Sequence, residues 1–214
     1  MGTVRALRVL HRAFSRYAPS QRIHILIRFL TCPFLRTIDD VPAGARVLDV
    51  GSGHALYGVL LLDGRASEVV AVDPDLRKSL LPSPSPKIRK IAGYDEAVRG
   101  TFDAAVIFDV AYRMPPDERR ALFTRILARL EPGGTFLFKD MDPRHRLKMK
   151  WARFQERISD RLWQLTIGAG FVEQSRQEVM AMLEEIGFRD VQARAIDRGY
   201  LHPHLLYTAK RPLA

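Results

Sequence analysis

The sequence predicts an α/β protein: a doubly wound, mostly parallel seven-stranded sheet, with N-terminal helices before it and an inserted helix after its fifth strand. Three observations carry this. From Arg46 onward, short apolar runs bounded by Gly, Asp or Pro alternate with helical stretches, which is how buried strands of βα units read. At the end of the first run an acid, Asp49, leads directly into a Gly-x-Gly turn and a helix start. Before Arg46 and after residue 140, apolar residues recur at helical spacing instead. The β/α alternation implies right-handed crossovers.

In the N-terminal part, Leu7, Leu10, Phe14 and Tyr17 recur at three- and four-residue spacing, with Arg5, Arg8, Arg12 and Arg16 on the other side. Pro19 is expected to end this helix. Ser20 can cap a second helix reaching about Leu30, although Ile23, Ile25, Ile27 and Phe29 also alternate at strand period. Pro33 and the stretch 42–44 lead into the main domain. Strands are expected at 46–50, 68–73, 88–92, 102–109 and 135–139, and helices near 55–62, 75–81 and 117–130. Pro115 and Pro116 suit the start of the last helix, and Pro132-Gly133-Gly134 its stop.

A helix near 175–186, ended by Gly187, precedes a strand from Phe188 and another at 204–210. Between 140 and 175 lies a stripe of Leu147, Trp151, Phe154, Ile158, Leu162 and Leu165, surrounded by Arg146, Lys148, Lys150, Arg153, Arg157 and Arg161. The domain plan is therefore a basic helical extension at 1–44, a cofactor-binding core at 45–140, an inserted amphipathic lid at 141–175 and the rest of the core at 176–214. Pro82 to Pro86 reads as a stiff loop.

A chain of 214 residues with 47% hydrophobic content supports one domain and an appendage. No run of about 18 apolar residues exists, which excludes an integral helical membrane protein. The formal charge of +10 points to anionic partners: phosphate backbones, lipid headgroups or acidic substrates. Residues 1–38 hold seven arginines and no acid. Such basic helices can be solvated outer faces. Trp151, Phe154 and Trp163 among the cations also suit an anionic membrane surface, a lid over an apolar substrate, or nucleic acid. Arg28 and His24 interrupt the apolar run 23–30 and argue against a secretion signal. Cys32, the one cysteine, forms no internal disulfide, and no zinc spacing is present. A cytoplasmic location follows as the expectation, with a possible peripheral site at the inner face of a membrane.

In Asp49-Val50-Gly51-Ser52-Gly53-His54-Ala55, glycines let the backbone approach a ligand and the following helix presents free N–H groups. The acid precedes the glycines, and the third glycine of a dinucleotide fingerprint is absent. Asp49 and Asp73, at successive strand ends, suit a cationic amino-acid ligand bearing a ribose: one carboxylate helps hold the ammonium end, the other accepts the ribose hydroxyls.

This arrangement resembles the class I S-adenosylmethionine-dependent methyltransferases. The family's first motif is similar to Asp49 through Ala55, with Ala55 in place of its last glycine. The ribose acid is matched by Asp73 before Pro74, and the adenine turn by Gly93-Tyr94-Asp95. The fourth strand is matched by 102–109 and the turn before the fifth by 130–134. The resemblance spans about 46–140 and extends to a seventh strand inserted antiparallel. It implies S-adenosylmethionine as cofactor, held by Asp49, Gly51, Ser52, Gly53, Asp73, Pro74, Tyr94, Asp95 and Asp109.

For the acceptor end the sequence offers Asp109, Tyr112, Lys139, His202 and His204. Open α/β sheets bind ligands where Asp109 and Lys139 lie, at the carboxyl ends of strands. These two resemble half of the Lys-Asp-Lys-Glu set of ribose 2′-O-methyltransferases, but the first lysine and the glutamate have no clear match. Val110-Ala111-Tyr112 lacks the signature of amino methylation on bases. Asp109, Asp140 and Asp142 invite a magnesium reading, against which the Asp-Asn pair of catechol-type enzymes is missing; no metal is expected. His202-Pro203-His204 joins the last two strands and can supply a general base. The expected activity is methyl transfer to a small or lipid-like acceptor at oxygen. His202, His204 and Lys139 are the base candidates, and Asp109 and Tyr112 the positioning groups. The alternatives are an RNA 2′-O-methyltransferase and a non-catalytic partner protein.

Overall fold

Strand β1 (Ala45–Val50) shows why the sheet is internal: Val47 and Leu48 are both fully buried, one on each face. A computed structural model describes residues 1–111, 114–145, 147–151 and 174–213. The remaining strands are β2 (Ala66–Asp73), β3 (Ile88–Ala92), β4 (Phe102–Phe108), β5 (Leu130–Met141), β6 (Arg189–Ala195) and β7 (His204–Lys210). They form one seven-stranded sheet in the order β3-β2-β1-β4-β5-β7-β6. β7 runs antiparallel to both neighbours, while the β1–β2, β1–β4, β2–β3 and β4–β5 pairs are parallel.

The helices are α1 (Thr3–Ala13), α2 (Pro19–Thr31), α3 (Leu56–Leu62), α4 (Leu76–Ser79), α5 (Pro116–Arg129) and α6 (Arg176–Ile186). Side-chain alternation along the strands creates two cores. Val47, Ala104, Val106 and Leu137 pack with α1, α2 and α3, whereas Leu48, Ala105, Ile107 and Phe136 pack with α5 and α6. Strand order reverses between β1 and β4, so their carboxyl ends open the crevice where such sheets take ligands.

Several expected boundaries move. Pro19 opens α2 rather than ending α1, and the Gln21 side chain accepts a hydrogen bond from the Ala18 amide at 3.1 Å. α1 stops at Ala13, yet Phe14 and Tyr17 stay buried. The helical period wins over the strand period in α2: Ile25 and Phe29 are buried while Ile23 and Ile27 are exposed. β4 ends one residue early because Asp109 adopts φ +58°. β5 begins at Leu130, paired with Phe102, five residues before the expected start.

Ser175 caps α6, accepting from the Glu178 amide at 3.2 Å, while Glu178 accepts the Ser175 amide at 2.6 Å. Of the span in which an inserted helix is expected, residues 147–151 are described and helical. There Leu147, the first member of the expected stripe, is exposed, and Met149 is buried instead. Phe154, Ile158, Leu162, Trp163 and Leu165 lie outside the described residues, as does Tyr112. Among the described residues no helix is long and apolar enough to cross a membrane.

Candidate functional site

At the end of β1 the chain turns through Gly51 (φ +72°) and Gly53 (φ +56°). The Gly51 amide donates to the Val72 carbonyl at 2.8 Å, tying the turn to β2. A Cβ on Gly51 would stand 2.2 Å from Val110 Cγ2, so a side chain is barred by space as well as by conformation. Ala55, where the resemblance expected glycine, also adopts a left-handed φ of +61° and is fully buried. An L-residue bears about 1–2 kcal/mol of strain there.

Among the described residues, two polar atoms in this turn are buried without a partner: Asp49 Oδ2 and Ser52 Oγ. Burial and the neighbouring Asp73 charge raise the Asp49 carboxyl to about 7, against the opposing pull of Arg28 and the Gly58 amide. An orphaned acceptor beside an orphaned hydroxyl is a site for a donor-bearing ligand group, since leaving such atoms unpaired costs about 1–3 kcal/mol each. Asp73, buried at the end of β2, accepts the Gly53 amide at 2.7 Å on one oxygen and the Asp75 amide at 2.8 Å on the other. A carboxylate offers about four acceptor positions, so capacity remains for a diol. Pro74, which lacks an N–H, makes Asp75 the first residue after Asp73 able to donate back.

The residues expected at the adenine turn diverge. Tyr94 is exposed, whereas Asp95 is buried and ion-paired with Arg125 of α5 at 2.7 and 3.0 Å. The structure thus ties Asp95 to α5.

A second cluster sits at the ends of β4, β5 and β7. Asp109 is ion-paired with Lys139, whose side chain is wholly buried, and with Arg28 of α2 at 2.7 Å; the Cys32 thiol donates to it at 3.6 Å. Burial raises the Asp109 carboxyl, but Lys139 and Arg28 overcome that and hold it below the usual carboxylate range. The Lys139 ammonium also meets His204 Nδ1 at 2.9 Å, and His204 Nε2 lies 2.9 Å from the Thr31 carbonyl. An ammonium only donates and a carbonyl only accepts, so Nδ1 is the acceptor and Nε2 carries the proton. Burial and the Lys139 charge push this neutral ring down to about 3. Both His204 nitrogens are therefore engaged. The His202 ring, 5.8 Å from that of His204, has no hydrogen-bond partner among the described residues. Burial lowers its pKa, with Asp109 opposing. Asp140 faces Arg119 at 3.4 Å and Asp142 faces Arg144 at 2.7 Å, each engaged by its own cation.

Sequence reasoning missed the contribution of α2. Its Arg28 and Thr31, with Cys32 just past its end, reach the second cluster, and the His24 ring lies tilted against that of His54, 5.4 Å between ring centres. Tyr17 lies 6.1 Å from the same ring and donates its hydroxyl to the Pro82 carbonyl at 2.6 Å. Burial, His24 and Lys78 lower His54 to about 4. The available signal was the pair His24 and Arg28, four residues apart within an apolar run and thus on one helix face. Two shallow surface grooves, one on α1 at Val4, Leu7, Arg8, His11 and Arg12 and one between α5 and α6, lie away from these clusters.

The Asp49 environment sets a pH response. Its folded pKa of about 7 exceeds the ordinary 3.8, so its contribution to stability is full below about pH 4 and is lost as pH rises through 7. A cationic ligand group favours the ionised form and must displace the proton. Affinity for such a ligand is expected to fall up to about tenfold per pH unit below 7, with proton release on binding. Calorimetry in buffers of different ionisation enthalpy checks this. A flat affinity between about pH 5.5 and about 7.5 would remove Asp49 from the ligand.

The chain matches the methyltransferase-domain family over residues 16–193. No curated protein matches it. Among solved structures it is similar to the S-adenosylmethionine-dependent methyltransferase SibL, with 21% identity, 98% of this chain and 68% of that one covered, and a TM-score of 0.66. It is also similar to 1,6-didemethyltoxoflavin-N1-methyltransferase of Burkholderia thailandensis, with 18% identity, coverage of 99% and 91%, and a TM-score of 0.61. An S-adenosylmethionine-dependent methyltransferase of Thermotoga maritima shares 14% identity, with coverage of 94% and 99% and a TM-score of 0.64. At these identities the likeness to solved structures is one of fold, and the family match covers most of the chain. The chain belongs to the methyltransferase-domain family, in the class I S-adenosylmethionine-dependent group.

Proposed function

We propose that this protein transfers the methyl group of S-adenosylmethionine to an oxygen of a small or lipid-like acceptor. The observation that carries the reading is the pair of buried, partnerless atoms, Asp49 Oδ2 and Ser52 Oγ, beside Asp73 at the strand-order switch. Asp49 and Ser52 would hold the amino-acid end of the cofactor, the backbone of Gly51 and Gly53 would let it approach closely, and Asp73 with Pro74 would hold the ribose. The Burkholderia relative was solved with S-adenosylhomocysteine bound, which supports the same cofactor here. The bound cofactor supplies an activated methyl group on a sulfonium.

What remains for this chain is to orient the acceptor, exclude water and remove a proton. The ion-paired Asp109, Lys139 and Arg28 hold α2 against the carboxyl edge of the sheet and shield the mouth. His204, locked between Lys139 and Thr31, orients the turn that carries His202. His202 is the base: its lowered pKa keeps it neutral near pH 7, and a neutral imidazole nitrogen can accept the acceptor's hydroxyl proton. Tyr112, three residues after Asp109, is the proposed positioning group.

The test is transfer from S-adenosylmethionine labelled in its methyl group into lipid, phenolic and RNA extracts. The expected label appears in organic-phase material, with product mass spectra placing it on oxygen. Label in RNA would support the ribose 2′-O alternative, for which the Asp109–Lys139 contact is the favouring observation. Intact cofactor binding with no transfer would indicate a non-catalytic partner protein.

A further inference from the structure

Helix α2 has two working faces. Ile25 and Phe29 enter the core, and Arg28 and the Thr31 carbonyl reach Asp109 and His204. The opposite face exposes Ile23 (59%), Leu26 (44%), Ile27 (53%) and Leu30 (58%). At 3.6 residues per turn these four fall within an arc of about 100°. Single exposed aliphatics are ordinary, but four on one helix face form a continuous apolar strip.

Its surroundings carry charge of one sign. Arg8, Arg12, Arg16 and Arg22 are exposed, and none of them pairs with a carboxylate among the described residues. Arg22 meets His11 of α1 at 3.3 Å, joining the outward faces of the two helices. On α1 that face adds exposed Val4 beside Arg8, His11 and Arg12. The first 38 residues contain no acid at all.

We propose that the outward face of α2, framed by the arginines of α1 and the α1–α2 turn, docks this protein on an anionic membrane surface. An aliphatic strip flanked by cations is the chemistry that inserts at a headgroup boundary and attracts acidic lipids. A second copy fits poorly. Four side chains fall well short of the roughly 800 Å² each partner buries in a stable protein pair, and a symmetric contact would bring like-charged arginines together. The surface is separate from the buried cofactor residues and stands whether or not the acceptor is a lipid.

The experiment is co-sedimentation of the full chain with vesicles of phosphatidylcholine, alone or mixed with phosphatidylglycerol, at low and high salt. Binding to the mixed vesicles alone, weakened by salt, is expected. Ile27→Glu and Leu30→Glu should each reduce it by about tenfold or more, as loss of one buried aliphatic side chain implies. Arg12→Glu should reduce it chiefly at low salt. Binding of S-adenosylhomocysteine by each variant, measured by calorimetry, reports whether the cofactor site and fold are intact, so failure of docking is read apart from failure of the methyltransferase reading. The proposal is overturned by absent or equal binding to both vesicle types, or by undiminished binding of Ile27→Glu. It is equally overturned if sedimentation shows a dimer that Ile27→Glu dissolves.

Discussion

Asp73→Ala is expected to weaken S-adenosylhomocysteine binding by about 100-fold or more. The Asp73 carboxylate is buried and already fixed by the Gly53 and Asp75 amides, so it would meet the proposed ribose without further ordering. Hydrogen bonds to a charged acceptor are worth about 1.5–3 kcal/mol each, and two lost ribose bonds sum to about 3–6 kcal/mol. The alanine variant also frees the Gly53 amide and loosens the turn. Asp73→Asn separates the two effects: it keeps the shape and one acceptor oxygen, so its affinity should fall between those of the wild type and the alanine variant. Calorimetry measures the affinities, and thermal unfolding of the apo protein reports the turn. Affinity of the alanine variant within about threefold of wild type, well under 1 kcal/mol, would refute Asp73 as the ribose residue.

Lys139→Met is expected to destabilise the fold by about 3–5 kcal/mol, the range for removing one partner of a buried ion pair. Lys139 is wholly buried, and its ammonium serves Asp109 and His204 Nδ1 together. Methionine fills the volume but supplies no donor, leaving Asp109 with Arg28 as its one remaining cation, and His204 Nδ1 unpaired, among the described residues. For a chain of this size each kcal/mol corresponds to about 2–4 °C, so thermal unfolding should occur about 10 °C lower. Asp109→Asn is the matched variant, because asparagine tolerates the left-handed backbone at φ +58° and the change falls on charge. The double variant should cost less than the sum of the singles, since each removes the same contact. Additive losses would show that the two side chains do not act as a pair.

Much of the core was legible because its signals are local. Asp49 through Gly53 announce a strand, a tight turn and a helix within one short segment, and the residues able to adopt left-handed φ stand where the turn requires them. Ser175 and Glu178 announce the start of α6 by a reciprocal cap. Strand ends were less secure. The extension of β5 back to Leu130 depends on pairing with Phe102, which no spacing in 130–135 reveals. In α2 the sequence held two competing periods, and packing of Ile25 and Phe29 onto the sheet resolved them in favour of the helix.

By itself, the sequence determined the α/β alternation, the glycine turn flanked by Asp49 and Asp73, and the concentration of arginine in the first 38 residues. Tertiary structure alone decided that Arg28, Asp109, Lys139 and His204 form one connected chain, that Asp95 is committed to Arg125, and that the aliphatics of α2 face outward. The physical reason is separation along the chain. A turn or a cap is set by residues a few positions apart, whereas an ion pair between residues 28 and 109 exists only after the sheet has formed and a helix has settled across its edge.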